Sequence, residues 1–190
     1  MTKPFIVGIA GGSASGKSTF CDALEASLSG LKVKAVHMDS YFKTAEERPY
    51  SEAPVTGNMY VDDNHPLTMD LPGLDKDLTG LMESNLYDVI LVEGLLTLWD
   101  KNIYNKLDLK LFVECRPDER IIRRLKRNMQ WGLSFDEIAG VYLDLVRYRH
   151  DEYVEPSKWR ADFILNGSRP SEKALLIISG YIKEHYGEMR

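Results

Sequence analysis

The 190-residue chain carries 24 basic against 29 acidic side chains, a net charge of −5, with 44% hydrophobic and 28% charged residues. That length and balance predict a single domain over residues 1–190 that buries most of its apolar surface, and they exclude a collagen-like, disordered or disulfide-stapled chain. The acidic balance argues against a nucleic-acid binder. Neither Met1-Thr2-Lys3-Pro4 nor the apolar run behind it is long enough for a signal peptide or a membrane span, so a cytoplasmic protein is expected.

Five short apolar runs punctuate the chain, at 5–9, 33–37, 89–93, 109–113 and 162–165. They lack the polar alternation of a half-exposed strand, which suits parallel strands covered on both faces. Helical stretches lie between them, at 16–28, at 74–83 and from Pro117, where a missing N–H costs nothing. Ser134 and Glu137 form a capping box for a helix continuing through Tyr142 and Val146, and Pro170-Ser171-Glu172 starts a last helix ending near Tyr186-Gly187. Strand alternating with helix predicts an α/β domain with a doubly wound, five-stranded parallel sheet. The 38–72 stretch has little periodicity and is rich in proline and aromatics, which reads as a loop covering a site. Cys21 and Cys115 lie in apolar stretches without pairing or metal spacing and read as buried, inert thiols.

The strongest chemical signal is Gly11-Gly12-Ser13-Ala14-Ser15-Gly16-Lys17-Ser18-Thr19, a match to G-x-x-x-x-G-K-[ST] placed between a strand and a helix. Glycines let the backbone curl so that successive N–H groups face phosphate oxygens, with the helix N-terminus adding positive charge. Lys17 reaches the terminal phosphates, and Ser18 offers a hydroxyl to Mg²⁺. Two shorter patterns suggest a GTPase, Asp70-Leu71-Pro72-Gly73 and Asn105-Lys106-Leu107-Asp108. Neither follows a buried strand, so both read as ordinary turns.

Glu93 ends the apolar run at 89–93 and so falls at the carboxyl edge of the sheet, where ligands gather and a carboxylate can hold Mg²⁺. Asp39 follows the second strand onto the same edge, placed to take a proton from an acceptor hydroxyl or to join the metal side. Arg120, Arg123, Arg124 and Arg127 share one helical face, and over 117–133 this reads as a lid whose arginines clamp a triphosphate. Arg147, Arg149 and His150 read as a solvated helix face.

Together these residues resemble the uridine kinase and phosphoribulokinase family of P-loop kinases over nearly the whole chain. The matching pieces are the phosphate loop, Asp39-Ser40-Tyr41-Phe42-Lys43, Asn64-His65-Pro66, Val92-Glu93-Gly94, Arg123-Arg124-Leu125-Lys126-Arg127 and Val154-Glu155-Pro156-Ser157-Lys158. The resemblance implies the P-loop NTPase fold with a helical lid, and a kinase using Mg²⁺ and ATP on the hydroxyl of a small molecule. It implies Asp39 as base, Ser18 and Glu93 on the metal side, Arg124 and Arg127 in the lid, and adenine contacts around Asn166-Gly167-Ser168.

The departures concern the acceptor. Uridine kinases carry a base-reading hairpin between the His-Pro segment and the Glu-Gly strand, where this chain reads as a helix and a turn. Their lid continues Glu-Arg-Gly-Arg, whereas this chain has Gln130-Trp131-Gly132-Leu133. A polar base is discriminated mainly by hydrogen-bond partners, and those are missing here. The expected acceptor is therefore a nucleoside, riboside or sugar-like metabolite touched by Tyr41, Asp63, Asn64 and His65, with a rebuilt pocket for uridine or cytidine as the alternative. A nucleotide sensor that transfers no phosphate is the alternative of another class. A homo-oligomer is compatible with the chain, and no membrane partner is expected.

Overall fold

The computed structural model describes residues 3–188, so Met1 and Thr2, at the start of the N-terminal run, and Met189 and Arg190 lie outside it. Its strands are β1 (Phe5–Gly11), β2 (Val33–His37), β3 (Tyr50–Glu52), β4 (Met59–Val61), β5 (Val89–Glu93), β6 (Leu109–Glu114) and β7 (Phe163–Asn166). Its helices are α1 (Lys17–Ser27), α2 (Leu71–Ser84), α3 (Lys101–Tyr104), α4 (Pro117–Gln130), α5 (Phe135–Val141), α6 (Arg147–Arg149) and α7 (Glu172–Glu188). Five strands form one parallel sheet in the order β2-β5-β1-β6-β7.

Alternate residues of these strands feed two cores. Ile6, Ile90, Val92 and Phe112 pack with Leu74 and Leu78 of α2 and with Leu96, Leu98 and Ile103. Val7, Ile9, Leu91 and Leu111 pack with Cys21, Leu24 and Leu28 on α1 and its end, and with Ile178 and Ile182 of α7. Covering both faces explains the apolar runs of the three central strands β1, β5 and β6, where each such side chain is worth about 1.5–3 kcal/mol on burial. The expectation of two covered faces fails at the sheet's edges, where one residue of β2 and one of β7 are buried and Phe163 and Ile164 stay about half-exposed. This is the doubly wound P-loop NTPase architecture. Both cysteines are buried and free, and burial beside Glu93 pushes the Cys21 thiol up to about 12.

The GTPase-like patterns are structural. Asp70 caps α2, its Oδ1 accepting from Gly73 N at 3.0 Å, and Asp108 Oδ2 accepts from Ile6 N at 2.8 Å. Capping by Asp70 also starts α2 at Leu71, three residues before the periodicity does.

Two regions differ from the sequence reading. The 38–72 stretch is not a plain loop, because β3 and β4 form an antiparallel hairpin within it, turned at Gly57 with φ +71°. Three residues per strand are too few for a period to register. The helix after the capping box does not continue as an α-helix either. It widens into π-turns at Tyr142–Val146 and His150–Val154 on either side of α6, then tightens into a 3₁₀ segment at Glu155–Arg160.

Candidate active site at the carboxyl edge of the sheet

Strand register assembles the site. His37 of β2 and Ile9 of β1 both lie opposite Glu93 of β5, and Gly11 lies opposite Val113 of β6. The phosphate loop leaves β1 at that edge and enters α1 through Gly16 at φ +100°, a left-handed conformation that favours glycine. Ala14 is also left-handed, at φ +63°, a strain of about 1–2 kcal/mol of the kind held at functional turns. Gly12 lies close under two side chains, since a Cβ there would stand 2.5 Å from Arg120 Nη1 and 3.0 Å from His150 Cε1 and both would have to shift. The first-turn N–H groups of α1, at Lys17, Ser18 and Thr19, open toward the loop.

Glu93 is buried at 4% exposure and both its oxygens are engaged. Oε1 accepts from Ser18 Oγ at 3.1 Å and stands 3.5 Å from Lys17 Nζ, while Oε2 lies 3.0 Å from His37 Nδ1. Asp39 is exposed two residues beyond His37, and its charge reaches Arg127.

The four arginines on one face of α4 divide into pairs. Arg120 Nε donates to Cys115 O at 3.1 Å, and Arg123 donates to Gly167 O at 2.8 Å and Ser168 O at 3.0 Å, so both brace neighbouring loops. Arg124 Nη1 and Arg127 Nη2 both reach Ser13 Oγ, at 3.1 and 3.3 Å. Burial pulls the Arg124 guanidinium below its ordinary value, and the neighbouring Arg127 adds to the shift. Arg124 Nε is buried without a hydrogen-bond partner among the described residues. Two crowded guanidiniums with an unmet donor favour an anion between them and the loop. The four arginines thus divide into a pair that reaches Ser13 Oγ and a pair bonded to backbone carbonyls, with Arg120 Nη1 beside Gly12 and Arg123 Nη1 3.5 Å from Ser15 O.

The acceptor candidates are spread out. Asp63 pairs with Arg48 at 3.1 Å, and its charge reaches Arg124 across the cleft. Asn64 is buried, its N–H donating to Asp62 Oδ1 at 3.2 Å. His65 Nδ1 accepts from Leu67 N at 3.1 Å and its ring meets Tyr153 edge-on, so it shapes the turn. Tyr41 is turned away toward α2, where its hydroxyl donates to Asp77 Oδ2 at 2.9 Å and burial pushes it up to about 12. Arg149 and His150 do not form a solvated face. Arg149 Nε donates to the fully buried Asp62 at 2.6 Å, and His150 packs on Gly12 and Arg120. Through the second π-turn His150 Nε2 comes within 3.4 Å of Glu155 Oε2, five residues on, a pairing that a 3.6 period conceals. Asp144 Oδ2 accepts from Thr56 Oγ1 and Tyr60 OH, each at 2.8 Å, and so holds the hairpin.

A cavity of about 240 Å³ between α1 and the segment after β7 is lined by Gly16, Thr19, Phe20, Arg123 and Asn166-Gly167-Ser168. Gly16, Thr19 and Ser13 fall within the phosphate-loop motif, but no motif marks Phe20 on the α1 side of the cavity or the contact of His37; strand pairing and helix packing reveal them.

A phosphate loop after the central strand, an acid at the end of the adjacent strand and a basic helix over the loop define the P-loop kinase class. Residues 79–172 match the Phosphoribulokinase / Uridine kinase family model. A uridine kinase of Geobacillus kaustophilus is 33% identical over 181 residues, covering 86% of each chain. One of Streptococcus pyogenes serotype M5 is 30% identical over 212 residues, covering 100% of each. The structure of a possible uridine kinase from Bacillus stearothermophilus superposes with a TM-score of 0.60 at 20% identity, over 87% of this chain and 90% of that one. The chain belongs to the phosphoribulokinase and uridine kinase family, whose members are P-loop kinases that phosphorylate small-molecule hydroxyls. Among the described residues no helix is long and apolar enough to cross a membrane.

Proposed function

We propose that this kinase transfers the γ-phosphoryl group of ATP to a hydroxyl of a nucleoside, riboside or sugar-like metabolite. The observation that carries the reading is Glu93 Oε1, shared between Ser18 at 3.1 Å and Lys17 at 3.5 Å beside a loop that two arginines cover. A hydroxyl and a carboxylate are hard oxygen donors, a set that suits Mg²⁺ when nucleotide phosphates complete its shell. Ser18 and Glu93 would hold the ion, which would neutralise charge on the phosphates when bound.

The chain's own groups do the rest. Lys17 and the loop N–H groups bind the β- and γ-phosphates. Arg124 and Arg127, freed from Ser13, meet the charge that spreads over the transferring group. Asp39 aligns the acceptor hydroxyl and takes its proton as the oxygen bonds to phosphorus and ADP leaves. The cavity beside Phe20 and Asn166 is sized for a planar base such as adenine. Asp63, Asn64 and His65 stand on the wall where a polyhydroxylated acceptor would lie.

The names of the relatives favour a second reading, in which uridine or cytidine is the acceptor. The base would then be read by residues other than those of the 71–88 segment, which is α2 and a turn.

The test is ADP release by purified protein with Mg²⁺-ATP and uridine, cytidine, nicotinamide riboside or pentoses. Asp39→Asn is expected to lower turnover with the active acceptor at least about 10²-fold. Transfer that survives in Asp39→Asn removes the base, and ATP binding without transfer to any acceptor returns the sensor.

A further inference from the structure

We infer that His37 is a positioning residue that fixes Glu93 in the orientation needed to receive the divalent ion, an inference that rests on the metal role proposed for Glu93. A carboxylate oxygen only accepts, so the 3.0 Å contact with Oε2 requires the hydrogen on His37 Nδ1. The parallel register sets His37 directly opposite Glu93 on the neighbouring strand, so the bond spans two rigid elements and no loop. Among the described residues Glu93 is otherwise held through Oε1 alone, by Lys17 and Ser18.

Those two partners are the ones a nucleotide would draw away. Lys17 turns to the phosphates and the Ser18 hydroxyl turns to the metal. Without a fixed donor on Oε2, the carboxylate would then be free to rotate about its terminal bond, and each ion bound would have to order it again. His37 removes that freedom and leaves Oε1 alone directed at the loop. Its imidazole is 43% exposed on the far side, toward a cavity lined by Ser40, Tyr41, Lys76 and Asp77, so it occupies no room the phosphates need. Hydrogen-bond partners of ligating groups typically account for 10–100-fold in metal affinity.

The experiment follows Mn²⁺ by electron paramagnetic resonance as it binds to the full chain saturated with ADP, together with ADP affinity in the absence of metal. His37→Ala is expected to weaken Mn²⁺ about tenfold with metal-free ADP affinity unchanged. His37→Asn, whose amide nitrogen occupies the place of Nδ1, is expected to stay within threefold of the parent. A Glu93→Gln control separates the two ideas. If Glu93→Gln weakens Mn²⁺ while His37→Ala stays within twofold of the parent, the positioning role is wrong and the metal role stands. If Glu93→Gln has no effect, the metal role falls and the positioning role with it. Equal loss in His37→Ala and His37→Asn, or a parallel loss of metal-free ADP binding, reduces His37 to a packing residue.

Discussion

Arg149→Ala separates two descriptions of the same residue. On a solvated helix face it would change stability by less than about 0.5 kcal/mol. In the structure its Nε lies 2.6 Å from Asp62, whose side chain is 0% exposed, while the arginine side chain is 19% exposed. Truncation strands a buried carboxylate, left with Asn64 N as a partner on its other oxygen. Breaking a buried pair costs about 3–5 kcal/mol, and the residual exposure of the arginine points to the lower end. A loss of about 3 kcal/mol corresponds to roughly 6–12 °C in melting temperature for a chain of this size. Urea denaturation of Arg149→Ala beside Arg147→Ala, whose guanidinium stacks on Tyr148 at the surface, makes the comparison. A loss below 1 kcal/mol in Arg149→Ala, or equal losses in the two variants, would refute the anchoring role.

Two further predictions concern the same helical segment. Burial, and then the charge of Arg120, lowers the His150 pKa from 6.5 to about 4. The unfolded chain therefore binds a proton between those values while the folded one does not, so stability falls as pH drops through that window. His150→Gln is expected to lose about 2 kcal/mol less than the parent between pH 7 and pH 5 in urea titrations; identical pH slopes would contradict it. Asp144→Ala removes the acceptor shared by Thr56 and Tyr60, so amide exchange across 50–61 is expected to quicken while β1 stays protected. Unchanged exchange there would mean that the hairpin is held by other contacts.

Each run at 5–9, 33–37, 89–93, 109–113 and 162–165 became a strand within two residues of its predicted ends. Burial on both faces accounts for the central strands β1, β5 and β6, whereas β2 and β7 are half-exposed edges that were legible as short apolar stretches alone. The phosphate loop was legible because its chemistry is local, with glycines, lysine and hydroxyl in one stretch. The hairpin was not, because its strands are short and the group that holds it, Asp144, lies more than eighty residues away. The arginines show the same limit. Their 3–4 spacing correctly put them on one face, but Ser13 lies over Arg124 and Arg127 whereas backbone carbonyls lie over Arg120 and Arg123.

The π-turns extend that argument from recognition to mechanism. An α-helix through 142–155 would separate His150 from Glu155 by about 140° around its axis, since five residues at 3.6 per turn overshoot one full turn. The wider winding brings His150 Nε2 to 3.4 Å from Glu155 Oε2, and the same segment reaches the hairpin through Asp144, the Asp62 loop through Arg149 and the phosphate loop through His150. That one helical segment therefore ties the hairpin, the Asp62 turn and the phosphate loop together, and it is braced in turn on Arg120 near the start of α4, whose Nη1 lies 3.2 Å from His150 Nδ1.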